Sequence, residues 1–115
     1  MTEASYAVQR ANPRFPFFAG GEVTLRDGKC VATQLSELSS RGCYIGTAEP
    51  IPNGTVLSLR IHDGMTTCEL QGKVIYVHSG GGLGVFGMGV RFEDMRPEQQ
   101  SAINAWVRTL AGTAA

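Results

Sequence analysis

An all-β domain, a barrel or a sandwich closed by one C-terminal amphipathic helix, is the architecture this sequence predicts, on three observations. Short segments alternating apolar and polar residues recur from Glu22 to Phe92, joined by turns bearing Gly and Asp. Beyond them the period changes, and Ile103, Trp106, Val107 and Leu110 recur at three- and four-residue steps, the stripe of one helix. At 115 residues the chain is long enough for one modest core and too short for two.

Residues 1–8 are small and polar and are expected to form a flexible N-terminus. Gln9 to Phe18 holds Pro13, Pro16 and three phenylalanines. Pro13 pushes Asn12 towards extended geometry, which argues against a regular helix. Residues 9–19 therefore read as an arm, with Phe15, Phe17 and Phe18 anchoring it on the domain. The barrel is expected over 20–93. Glu22-Val23-Thr24-Leu25-Arg26 alternates, and Asp27-Gly28 turns it into a return strand from Cys30 to Leu38. Cys43-Tyr44-Ile45-Gly46 is a short strand, followed by a breaker-rich loop from Glu49 to Gly54. Val56 to Ile61 alternates again and turns at His62-Asp63-Gly64. The longest stretch, Thr66 to His78, has Gly72 near its middle as the expected bulge or bend. Val85 to Phe92 is the last strand. Asp94 is the expected cap and Pro97 suits the first position of a helix over 96–111, with Trp106 on its core side and 112–115 as a tail.

Ten basic and ten acidic side chains cancel. That balance excludes the general basic field that holds DNA, RNA or an anionic membrane, so an anion bound here is captured locally. No stretch approaches the roughly 18 consecutive apolar residues of a membrane span, and no signal-like apolar run opens the chain. The expectation is a cytoplasmic protein without membrane insertion. Cys30, Cys43 and Cys68 are odd in number and lack CxxC spacing. They argue against a disulfide framework or zinc site and are expected as buried small hydrophobes. His62 and His78 lie at different strand ends, and Gly80-Gly81-Gly82-Leu83-Gly84 lacks the lysine and following helix of a phosphate loop. The chain reads as a non-enzyme, with no catalytic residue, metal ligand or cofactor assigned.

Two short stretches carry the chemistry. Arg10 and Arg14 are four residues apart in a segment with no other charge, and a guanidinium fork pairs with phosphate, carboxylate or the Hoogsteen edge of guanine. Glu37-Leu38-Ser39-Ser40-Arg41-Gly42 then gathers a carboxylate, a hydroxyl and a close backbone approach into one turn. Arg10-x-x-x-Arg14 followed by Glu37-x-Ser39-x-x-Gly42 resembles the paired signature of the PilZ domain, RxxxR and [D/N]xSxxG. The strand pattern, Gly89-Val90-Arg91-Phe92 and the closing helix extend the resemblance over residues 8 to 111.

The resemblance implies a six-stranded antiparallel barrel with a C-terminal α-helix packed against it, and a bacterial receptor for cyclic di-GMP. It carries five roles over. Arg10 and Arg14 contact guanine N7 and O6 or phosphate oxygens, and Glu37 accepts from guanine N1–H and the exocyclic amine. Ser39 adds a hydroxyl hydrogen bond, and Gly42 leaves room for the ligand. Tyr76 stands where similar domains carry an aromatic near a guanine face, and stacking or ordinary strand packing both suit it. Arg41 is either a phosphate contact or a solvated charge. Gln9 occupies a place that in this family bears on whether one ligand or a stacked pair binds. Glu37 departs from the family's Asp or Asn by one methylene, and either meets the ligand or salt-bridges Arg10, Arg14 or Arg41. The expected function is a cyclic di-GMP receptor or adaptor relaying its signal to a downstream protein. The alternative is an interaction module that kept the fold and lost the nucleotide. A single-stranded nucleic-acid binder is disfavoured by the zero net charge.

Overall fold

The computed structural model describes residues 15–79 and 86–114. Gln9, Arg10, Arg14 and the glycine run at 80–84 lie outside the described residues. Strands β1 (Phe15–Thr24), β2 (Cys30–Leu38), β3 (Gly42–Thr47), β4 (Val56–Asp63), β5 (Thr66–Ser79) and β6 (Phe86–Glu93) precede helix α1 (Pro97–Ala114). All pairings are antiparallel, in the order β1, β2, β3, β6, β5, β4, and the barrel closes where β4 pairs with β1.

The period of two builds the core. Along β4, Leu57, Leu59 and Ile61 point inward while Ser58 and Arg60 face out. Val23, Leu35, Leu38, Ile45, Val74, Met88 and Val90 meet them inside, each almost fully buried. The first hairpin closes because the Asp27 carboxylate accepts from the Lys29 amide at 2.9 Å and Gly28 takes φ +91°. Helix α1 lies over β1 and β5. Its Ile103 is completely buried, and the Trp106 ring sits 5.4 Å from that of Phe17. Trp106 is thus partly buried against the core, on the side its helical spacing implies.

Several boundaries differ from the sequence reading. β1 starts at Phe15 and not at Glu22: Phe15 and Pro16 pair with Leu38 and Glu37, the register slips between Pro16 and Ala19, and the proline lies where β1 has β2 as its one neighbour, since β4 pairs only from Gly20 onward. Phe17 is buried by this slip, whereas Phe18 is thrown outward and is 79 % exposed, so it anchors nothing on the core. Gly72 is not a bulge. It stays in register between Leu57 and Phe92, and a Cβ there would come within 2.5 Å of Val90 Cγ1. The bulge falls between Val74 and Tyr76. Asp94 is not the cap either. It takes φ +49° between β6 and α1, and Gln99 Oε1 instead accepts from the Arg96 amide at 2.7 Å, one half of a capping box. The helix continues through Gly112, where the tail was expected. Cys43 and Cys68 are buried, but Cys30 is exposed, with its sulfur 3.5 Å from Thr24 Oγ1.

Candidate functional site

The turn from β2 to β3 is built by one serine. Ser39 is 7 % exposed, and its Oγ accepts from the amides of Arg41 (3.2 Å) and Gly42 (3.1 Å). The same hydroxyl donates to the Gly42 carbonyl at 3.2 Å, alongside the Ser39 amide at 2.9 Å. Its hydrogen-bonding capacity is used within the turn. Gly42 is demanded by the sheet, since a Cβ there would lie 2.3 Å from the Val90 carbonyl oxygen on β6. Arg41 directs its side chain to solvent while its carbonyl accepts from the Phe92 amide at 2.8 Å. From the helix, Gln100 Nε2 donates to the Ser40 carbonyl at 3.3 Å.

Glu37 stands just before this turn on the outer face of the barrel, half-buried. Its register partners are Pro16 on β1 and Tyr44 on β3. The Tyr44 phenol is raised from its ordinary value, chiefly by partial burial, with the neighbouring Tyr76 and the Glu37 carboxylate adding to the shift. Glu37 and Tyr44 thus share one electrostatic environment.

Beyond Tyr44 the outer face of β6 presents only backbone at Gly87 and Gly89, and rings cover it. A Cβ on Gly87 would fall 1.8 Å from the Tyr44 hydroxyl, and one on Gly89 would fall 2.2 Å from Tyr76 Cε1. The bulge before Tyr76 turns it and His78 to the same face. Tyr44 and His78 have ring centroids 5.5 Å apart, and Tyr76 and His78 lie 6.2 Å apart at an interplanar angle of 10°. The Tyr44 hydroxyl is hydrogen-bonded to His78 Nε2. Tyr76, singled out in the sequence, therefore joins a continuous aromatic surface beside Glu37. Tyr44 and His78 were missed. Tyr44 carried a usable signal, flanked by the inward pair Cys43 and Ile45, but only strand register sets it against Glu37.

A matching family model places the chain. It is that of the PilZ domain, matched over residues 8–109. The chain belongs to the PilZ domain family. No curated protein matches it. Solved structures share its fold at low identity. The PilZ domain of YcgR from Escherichia coli, described with c-di-GMP, superposes with a TM-score of 0.78 at 15 % identity, covering 92 % of this chain and 94 % of that one. MrkH of K. pneumonia, described as a complex with c-di-GMP, gives 0.79 at 16 % identity, over 92 % of this chain and 54 % of its own. The Bacillus subtilis inhibitor of motility gives 0.76 at 14 %, over 90 % and 52 %. This PilZ chain thus spans about half the length of the latter two. The six-stranded barrel with one C-terminal helix is the fold they share.

A cavity of about 470 Å³ lies elsewhere, on the outer side of β1, β4 and β5 beside the start of α1. Its charges are spent on each other: Arg60 binds both Glu69 and Glu22, and His62 lies 3.3 Å from Glu22. It presents no unsatisfied charge to a ligand from these groups. Among the described residues no cluster of His, Cys, Asp or Glu is arranged to hold a metal, and no helix is long and apolar enough to cross a membrane.

Proposed function

We propose that this PilZ domain is a cyclic di-GMP receptor that relays the signal to a downstream protein, without chemistry of its own. One observation carries the reading. The Glu37–Gly42 turn, the aromatic face and the start of β1 converge, because Pro16 pairs with Glu37 and Phe15 with Leu38. The chain entering β1 carries Arg14 one residue and Arg10 five residues before Phe15. At up to about 3.5 Å per residue, the intervening chain is long enough for either guanidinium to reach Glu37.

In this arrangement Arg10 and Arg14 supply cations and Hoogsteen donors to phosphate or guanine, and Glu37 accepts from the guanine Watson–Crick edge. Ser39 and Gly42 contribute shape, holding the turn tight so that a ligand approaches its backbone. Tyr76 offers a ring face, Arg41 a second cation, and Gln9 the approach to the first arginine. The solved relatives described with c-di-GMP support the ligand class. The protein reads as cytoplasmic, which its free thiols suit. Ligand bridging the arginine segment to the turn would create the surface that the partner reads.

Calorimetric titration of the full chain with cyclic di-GMP tests this, beside the Arg10→Ala, Arg14→Ala double variant. Saturable binding that the double variant loses is the expected result, and its stoichiometry distinguishes one ligand from a stacked pair. A folded protein that gives no heat at high ligand concentration would leave the fold as an adaptor that needs no nucleotide.

A further inference from the structure

The motif residues leave a gap in the site. Glu37 and Tyr76 sit on β2 and β5, three steps apart in the ladder order β2, β3, β6, β5. That is about 14 Å along the sheet at roughly 4.8 Å per strand. The Tyr76 ring leans over Gly89 on β6, which leaves β3 between it and Glu37. Tyr44 fills the interval. It is the cross-strand neighbour of Glu37 on one side and faces Gly89 on the other.

His78 completes the surface in a defined orientation. Its Nδ1 lies 3.2 Å from the Ser79 carbonyl, which only accepts, so Nδ1 carries the proton. Nε2 then takes the hydrogen bond of the Tyr44 hydroxyl. Both nitrogens are engaged, the ring plane is fixed, and the side chain is exposed. The Tyr44 hydroxyl lies against Gly87 and the Tyr76 ring against Gly89, and both side chains remain partly exposed. A surface of half-exposed rings next to a carboxylate offers what a planar base with an N–H edge needs: stacking area and an acceptor at its rim.

We propose that Tyr44 and His78, together with Tyr76, form one floor on which a guanine base stacks while Glu37 reads its Watson–Crick edge. This rests on the cyclic di-GMP reading above. His78 touches the base, and Tyr44 both extends the floor and positions His78.

The test is titration of the full chain with cyclic di-GMP, comparing wild type with His78→Ala, His78→Phe and Tyr44→Leu, each checked for folding by thermal unfolding. His78→Ala is expected to weaken binding by about 5- to 100-fold, the range that loss of one stacked ring gives. His78→Phe is expected to recover most of that loss, since it restores the ring and not the hydrogen bond. Tyr44→Leu is expected to weaken binding by a similar factor. By NMR, the guanine H8 resonance of bound ligand should move upfield in wild type and less so in His78→Ala. Wild-type affinity in folded His78→Ala and Tyr44→Leu, with any loss confined to stability, would mean that the rings only cover Gly87 and Gly89, and the proposal falls. Failure of His78→Phe to recover binding would overturn stacking in particular. A wild-type chain that takes up no ligand overturns the receptor reading and this assignment with it.

Discussion

Gly87 and Gly89 show how a missing side chain can define a site. Each leaves room for a ring on its neighbour strand, and the space a methyl at Gly89 would need is already filled by Tyr76. Gly89→Ala is therefore expected to cost about 1–3 kcal/mol by urea unfolding, the usual cost of overpacking. Adding Tyr76→Ala should return part of that stability, so the two changes will not be additive. Glu37 makes a different prediction. Its extra methylene displaces the carboxylate by about one bond length relative to the aspartate of the family signature, and a misplaced acceptor forfeits a hydrogen bond. Glu37→Asp should bind cyclic di-GMP more tightly, by up to about tenfold, and calorimetry showing equal or weaker binding would refute it. Of the candidate site, the grouping of Glu37, Ser39 and Gly42 was legible because they occupy one linear turn. Tyr44, Tyr76 and His78 come from two strands that become neighbours only through β6. No local pattern encodes that register.

At the scale of elements, α1 does two jobs. Its buried face fastens Ile103 and Trp106 to the barrel, and its polar Gln100 holds the Ser40 carbonyl of the β2–β3 turn. Ile103→Ala should lower unfolding stability by about 2–5 kcal/mol, the range for emptying a buried aliphatic position. Trp106 fluorescence will follow the transition, because the indole rests on Phe17 beside the same core. A loss under about 1 kcal/mol would show that the helix is peripheral. The alternating strands and the helical stripe were readable from the sequence, since burial alone dictates periods of 2 and 3.6. The early start of β1 was not. The prolines made residues 9–19 read as an arm and the first strand was expected only from Glu22, yet Gly21 already serves close packing in the seam between β1 and β4, where a Cβ would lie 2.8 Å from the Arg60 carbonyl oxygen. The bulge beside Tyr76 was equally hidden, because a glycine nearby at Gly72 supplied a plausible but wrong location.

For the molecule as a whole, the closed core sets a pH dependence. Cys43 is buried, and loss of solvation pushes its thiol well above the ordinary value. Its folded value lies above its unfolded one, so the stability it confers is fully present below about pH 8.5 and declines as pH rises beyond. The slope is up to about 1.4 kcal/mol per pH unit while the unfolded thiol ionises and the folded one does not. Urea unfolding between pH 7 and 10 should therefore fall more steeply for wild type than for Cys43→Ala, and parallel curves would count against it. Closure has a second consequence. Because β4 returns to β1, each described strand has a neighbour on both sides over part of its length, and the ladder is open only towards strand ends: Phe15–Ala19 of β1 lie beside β2 alone, and Thr66–Leu70 of β5 beside β4 alone. Among the described residues, a peptide adding itself as another strand would find unpaired backbone only at those ends. Over the closed middle of the barrel recruitment falls to side chains on the outer wall or helix, which makes specificity there a matter of surface sequence while the scaffold beneath stays the same.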